Sequence, residues 1–419
     1  MNTICTQSPP PRSALILGAG PAGLALAAAC AHEGLAVTVL APAPMAPWHP
    51  SFGAWDDELH GIFSGEEQGQ VIAHRWAAAC VATPAQPRRR LERPYVRLST
   101  GGLQAALWAR CAAAGVQVIA GEGVQVQPIL GGQRVLDAAG QAHAAAVIVD
   151  ATGAGALLRR RSGGPGAVQS AYGLQLELDG HPWPLDEALL MDWRAPLADA
   201  EGPPTFLYAM PVSATEVFVE ETSLISPVAL PFALLRARLL ARLSGLGLSA
   251  DRVISEERCA FRMGGPLPVR DQALLGFGAA AGMVHPATGY QLSRSLREAG
   301  PMAAAIRAGL DAGGPVEAAR RGWDHLWRPA LRAQWAAYGL GAEALQRLGQ
   351  GELQGFFDAF FALPEPDWRA FMSGTLSRPA LASTLLRFFA LAPSATRRAL
   401  MRAGQGVEGL LFLPRLAGA

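Results

Sequence analysis

Glu220 and Glu221 stand side by side in Phe218-Val219-Glu220-Glu221-Thr222, among apolar and β-branched neighbours. A glutamate in water titrates at about 4.3 and is a poor proton donor at neutral pH, whereas burial raises that value and makes a usable acid. The stretch from Val217 to Thr222 reads as a strand. Phe218, Glu220 and Thr222 then share one face, and Val217, Val219 and Glu221 the other. The two carboxyls are therefore expected to do different work. The alternative is that both are surface carboxylates of an ordinary strand.

A second group of residues opens the chain. Ala14 to Leu17 predicts a short buried strand, Gly18-Ala19-Gly20-Pro21-Ala22-Gly23 a turn, Leu24 to Glu33 a helix ending at Gly34, and Ala36 to Leu40 a second strand. In such a βαβ unit the helix N-terminus faces phosphate. Gly18 permits the tight turn, Gly20 lets backbone approach the ligand, and Gly23 lets helix pack on strand, with Pro21 and Ala22 completing the turn. The acidic residue that usually accepts ribose hydroxyls is missing, because the second strand runs into Ala41-Pro42.

Further elements must complete that domain. Leu103 to Ala114 reads as a helix, Val116 to Ile119 as a strand, and Val147 to Asp150 as a buried strand ending at Ala151-Thr152-Gly153. Asp150, Thr152 and Gly153 thus form a second crossing able to approach a cofactor. After Leu274 to Gly278, the loop Gly282 to Tyr290 leads into a helix from Gln291, and Gly282, Met283 and Gly289 suit phosphate or flavin oxygens. His285, before Pro286, either fixes this turn or contacts the substrate. Between these halves, Tyr172 to Leu178 and Glu216 to Thr222 look antiparallel, and Leu230 to Leu243 is an Arg-studded amphipathic helix.

Beyond Pro315 the chain reads as mostly helical, with Phe356, Phe357, Phe360 and Phe361 recurring four residues apart. That aromatic face is either core or a surface lying in a membrane interface. Arg88-Arg89-Arg90 and Arg159-Arg160-Arg161 would then meet anionic headgroups, or else are simply solvated.

Composition removes several classes. The 419 residues carry 35 basic and 34 acidic side chains for a net charge of +1, which argues against a nucleic-acid partner. Every basic residue is Arg, so neither a P-loop lysine nor a lysine Schiff base is available. Hydrophobic residues make up 50% of the chain, enough for a large core. The five cysteines are odd in number and scattered, suggesting neither a disulfide framework nor a zinc or other metal site and favouring a reducing cytoplasm. The Pro9-Pro10-Pro11 arm has no apolar stretch before it, so no export is expected. The apolar run Ala14 to Ala31 is cut by glycines and Pro21 into strand, turn and helix, against a membrane span.

Taken together, Val217 to Leu224 resembles the glutamate motif of the plant and cyanobacterial type lycopene cyclases. Similar segments recur in order at Phe52 to Trp55, Arg93-Pro94-Tyr95, Asp150 to Gly153, Ala171-Tyr172-Gly173, Met191 to Arg194, Phe206 to Pro211, Met263 to Pro268, Gly282 to Tyr290 and Phe356 to Phe361.

The resemblance implies an α/β flavoprotein fold like that of aromatic hydroxylases and geranylgeranyl reductases. A Rossmann-type FAD-binding domain would span 1–165 and 265–312, an antiparallel-sheet substrate domain 166–264, and a helical C-terminal region 313–419, touching the membrane. It implies reduced FAD, NAD(P)H as electron source, and lycopene or γ-carotene as substrate, in a cytoplasmic protein held peripherally on a membrane. Glu220 would donate the proton, with Glu221 a structural or tuning carboxylate. Phe218, Tyr208 and Trp193 would face the carbocation, and Asp192 and Arg194 either join them or pair with each other.

Hydroxylase relatives carry Asp where this chain has Ala279, which favours a cyclase over an oxygenase. The competing readings are an FAD-dependent monooxygenase or epoxidase on an isoprenoid, and a non-catalytic carotenoid or flavin binder.

Overall fold

The computed structural model describes residues 9–153, 155–160, 166–194 and 202–404. The start of the N-terminal arm with Cys5, Arg161 of the second arginine run, and the chain from 405 onward lie outside the described residues.

Ser13–Leu17, buried throughout, is the middle strand of a five-stranded sheet. Its neighbours are Val147–Asp150 and Ala36–Ala41, flanked in turn by Leu275–Gly276 and Gln117–Ala120, all parallel. The first helix is Pro21–His32 and begins three residues before the expected Leu24. Proline fits a first helical turn because it lacks an N–H that would have no partner there. Gly34, at φ +81°, turns the chain out of it. The helix expected from Leu103 likewise starts earlier, at Thr100, where the Ser99 hydroxyl accepts the Gly102 N–H at 3.0 Å.

A seven-stranded sheet forms the second layer, in the order Val253–Met263, Ala167–Glu177, Glu216–Ser223, Thr205–Pro211, Glu187–Asp192, Ala78–Ala82 and Arg89–Leu91. Ala78–Ala82 pairs in parallel with Glu187–Asp192 and brings Arg89–Leu91 with it. The expected division at residue 166 therefore fails for these two strands, which come from the first part of the chain yet extend the second sheet. The helix Phe232–Gly245 covers one face of that sheet.

The long helix Leu292–Trp327 crosses back under the nucleotide sheet, with its backbone broken at Gly313 and Gly314, and further helices follow to Gly404. Phe356, Phe357, Phe360 and Phe361 are all buried. Of the two readings of this aromatic face, core or membrane-lying surface, the structure supports the core. The rings pack on Trp193, Phe371 and Phe388 inside the molecule because that is where the helix finds apolar partners. Among the described residues, no helix is long and apolar enough to cross a membrane.

Candidate active site

The motif strand Glu216–Ser223 lies in the middle of three antiparallel strands, with Tyr208 opposite Glu220 on one side and Gly173 on the other. Strand alternation sends Phe218, Glu220 and Thr222 into a cavity of about 530 Å³. Its remaining wall is rich in aromatic rings, with Tyr95, Phe206, Phe261 and Tyr290 from the strands and loops and Phe356, Phe357, Phe360 and Phe371 from the C-terminal helices.

Glu220 is partly accessible and lines this cavity. Burial pushes its carboxyl up to about 7, opposed by the hydrogen bond from Thr222 and assisted by the charge of Glu257. The Thr222 hydroxyl donates to Oε1 at 2.6 Å. A carboxyl in this state holds its proton near neutral pH and can deliver it into an apolar space.

Glu221 points the opposite way and is fully buried. Its Oε2 accepts from Arg242 Nε at 2.6 Å and its Oε1 from the Thr205 hydroxyl at 2.5 Å. Arg242 also donates to the carbonyl oxygens of Thr205 and Arg194. This carboxylate ties strand to helix and has no line to the cavity. Of the two glutamates grouped as catalytic candidates, only Glu220 lines the cavity, and Glu221 takes the position of a structural carboxylate.

Three tyrosines, buried Tyr95 and partly buried Tyr208 and Tyr290, converge beside Glu220, with the Tyr290 hydroxyl 3.4 Å from that of Tyr95. Burial holds all three phenols well above their usual range. They therefore stay neutral, offering ring faces and hydroxyl dipoles rather than charge. Gly53 makes room for them, since a Cβ there would overlap the Tyr95 hydroxyl.

Two expected substrate contacts lie elsewhere. Trp193 stacks behind Phe357 and Phe206 at ring-centroid distances of 5.2 and 4.9 Å, so it backs the cavity wall without lining it. His285 packs on Tyr338, Trp335 and Phe371. Burial and then the charge of Arg294 lower it to about 3, leaving a neutral ring whose Nδ1 accepts the Ala287 N–H at 3.3 Å. It fixes the turn. Asp192 pairs with Arg194, at 2.6 Å between Oδ2 and Nη2, which settles those two as mutual partners.

The glycine turn fits a dinucleotide. Gly18 takes φ +105°, where a side chain is strained, and a Cβ would sit 2.7 Å from the Ala151 carbonyl oxygen. At Gly23 a Cβ would overlap the Gly18 carbonyl oxygen, whereas at Gly20 nothing lies within 4 Å. Gly20 also caps Pro21–His32 without a side-chain hydrogen bond, so the first amides of that helix are left for an anion.

Asp150 Oδ1 accepts from the Thr152 amide at 3.0 Å and hydroxyl at 2.7 Å, while its buried Oδ2 has no partner among the described residues. Gly282 and Gly289 take positive φ, and Gly289 to Gln291 line the cavity at the uncapped start of Leu292–Trp327. Met283 is corrected. Its side chain is buried, its N–H donates to Gly278 and its carbonyl accepts from Arg294, so it shapes the loop and keeps no free group for a ligand.

Comparison with known proteins agrees with this arrangement. The family model described as lycopene cyclase protein matches residues 14–398. The chain belongs to the lycopene cyclase family. It is 37% identical over 412 residues to a lycopene beta cyclase of Synechococcus elongatus, covering 96% of this chain and 99% of that one. It is 35% identical over 406 residues to the chloroplastic lycopene beta cyclase of Arabidopsis thaliana, covering 93% and 80%. Among solved structures, a geranylgeranyl bacteriochlorophyll reductase-like protein of Thermoplasma acidophilum superposes with a TM-score of 0.70 at 16% identity, covering 93% of this chain and 98% of that one. The fold expected from sequence is thus shared.

Two groups escaped the sequence reading. Arg242 is one of several arginines in the amphipathic helix, and nothing in the sequence singles it out as the partner of Glu221. Glu257 lies on the edge strand, where Glu257, Cys259 and Phe261 alternate toward the cavity, and that period of two was the available signal.

Proposed function

We propose that this protein closes β-ionone rings on the ends of lycopene or γ-carotene by acid catalysis, without net redox change. The observation that carries this reading is the partly buried Glu220 carboxyl, held up to about 7 and facing an aromatic-lined cavity. Glu220 protonates the terminal double bond, the neighbouring double bond attacks the resulting tertiary cation, and the faces of Phe218 and Tyr208 stabilise the charge by about 0.5 to 2 kcal/mol each. The largely apolar lining leaves few groups to hold water beside the cation.

Gly18, Gly20 and Gly23 with the start of the first helix would hold the diphosphate of FAD. Asp150 and Thr152 would lie at its second crossing, and Gly282 and Gly289 beside the flavin ring. In its reduced form the flavin supplies an electron-rich surface that favours positive charge nearby. NAD(P)H is the proposed electron source.

The proposed location is the cytoplasmic surface of a membrane. The contact is supported by exposed Leu386, Phe389 and Leu391 on the helix Arg378–Leu391, interleaved with Arg387. Flotation with vesicles tests it, and protein that stays at the bottom of the gradient contradicts it.

Expression in lycopene-making cells with and without oxygen tests the reaction. Cyclic pigment in both conditions, lost in Glu220→Gln, is the expected result. Oxygenated pigment formed only with oxygen would favour a monooxygenase instead.

A further inference from the structure

Ring closure by the proposed acid chemistry leaves one proton unaccounted for, and naming its acceptor rests on the cyclase reading. After closure the ring carries a cation beside the carbon that bears the polyene. Loss of hydrogen from that carbon gives a β ring, loss from the ring methylene on the other side an ε ring, and loss from the methyl an exocyclic double bond. The position of the base selects among them.

Gly173 is the register partner of Glu220 on one side and of Glu257 on the other, so the three lie in one row across three strands. Cross-strand partners share a face, and Glu257, like Glu220, lines the cavity. Two strand spacings put the two glutamate backbones about 10 Å apart, a span that a six-membered ring and two reaching side chains fill. In the row between them the intervening strand places Gly173, which has no side chain, and Ala171 lines the cavity beside it. A Cβ at Gly173 would come 2.6 Å from the Phe218 ring, so that ring covers the gap between acid and second carboxylate.

The Ser51 backbone N–H donates to both oxygens of Glu257 at 3.0 Å, and a charge-assisted bond of this kind fixes a carboxylate's orientation. Other titratable groups on the described cavity wall are poor bases. Burial keeps the three phenols neutral, and burial followed by the charges of Glu220 and Glu257 pushes the Cys259 thiol up to about 12.

We infer that Glu257 is the base that takes the ring proton and thereby directs the product to the β ring. Glu220 gives its proton to the inner carbon of the terminal double bond, leaving the tertiary cation on the dimethyl carbon, and becomes a carboxylate. The electron pair of the broken ring C–H bond becomes the new double bond, and the proton passes to Glu257, which becomes a carboxylic acid. Exchange with water then returns both to their starting states, so atoms and charge balance over each turnover. Two carboxyls held in different environments on one cavity match the division of labour that acid–base enzymes use.

The test uses the full-length protein reconstituted with reduced FAD and lycopene, comparing wild type, Glu257→Gln and Glu257→Asp by chromatography of the pigments. Flavin content and thermal melting report folding. For Glu257→Gln we expect lycopene still to be consumed while β-ring yield falls about a hundredfold, with ε or exocyclic isomers or a tertiary alcohol taking its place. Glu257→Asp restores β rings at least in part. If folded Glu257→Gln makes β rings at the wild-type rate, the inference is overturned and Glu220 serves as its own base. It is also overturned if folded Glu257→Gln consumes no lycopene. Should Glu257→Gln not fold, Glu257→Asp decides, because unchanged rate and product with the shorter side chain contradict a positioned base. Wild-type protein that forms no ring at all overturns the cyclase reading itself, an outcome separable from these.

Discussion

Glu220 and Glu221 are neighbours in sequence with the same side chain, yet they occupy opposite media. Glu220 faces an aromatic cavity with Thr222 as its hydrogen-bond donor, and burial holds its proton. Glu221 faces a helix, where Arg242 and Thr205 satisfy its oxygens in a tight network. The difference comes from one strand separating a space left for substrate from a packed core. A polar group on the cavity side is left with chemical freedom, whereas the same group on the core side must be fully paired to be tolerated.

That contrast is open to direct attack. Glu220→Gln keeps shape and removes the acid, so cyclisation measured by pigment analysis should fall by about a hundredfold to ten-thousandfold with unfolding midpoints unchanged or raised. Glu221→Ala leaves Arg242 buried without its partner and should cost about 3 to 5 kcal/mol in urea unfolding. The double change Glu221→Leu with Arg242→Met should recover much of that loss, because apolar replacements of a buried ion pair are often neutral.

The pH profile sharpens the comparison further. The active form of Glu220 is protonated, and its folded value is raised to about 7 from an ordinary 4.5. Turnover should therefore fall about tenfold for each pH unit above 7. The sign for stability is the same. The contribution of a raised group is present at low pH and is lost as pH rises through about 7, so the wild type should lose stability relative to Glu220→Gln over that interval. Gly173→Ala is the mildest change. Its Cβ displaces the Phe218 ring, and about 1 kcal/mol of transition-state stabilisation should be lost, read as a lower kcat/KM with the melting temperature nearly kept.

Much of this was legible in the residues. Gly18, Gly20 and Gly23 announce their turn because only glycine meets its steric demands, and strand alternation alone separates Glu220 from Glu221. Long-range placement was not legible. The period of Phe356, Phe357, Phe360 and Phe361 shows that they form a face but not which way it looks, and the structure turns it inward. Trp193 and His285 fall within ordered motifs, yet packing sets each behind the wall it was expected to form. Ala78–Ala82 joins the second sheet through a parallel pairing across more than a hundred residues, which no local pattern records.

Difference infrared spectroscopy of the carboxylic acid C=O stretch, taken as wild type minus Glu220→Gln across a pH series, tests the central claim most directly. A protonated-acid band that disappears with a midpoint near pH 7 is the predicted result. A midpoint near the ordinary 4.5 would contradict it, since Glu220 would then be charged at neutral pH and unable to start the reaction.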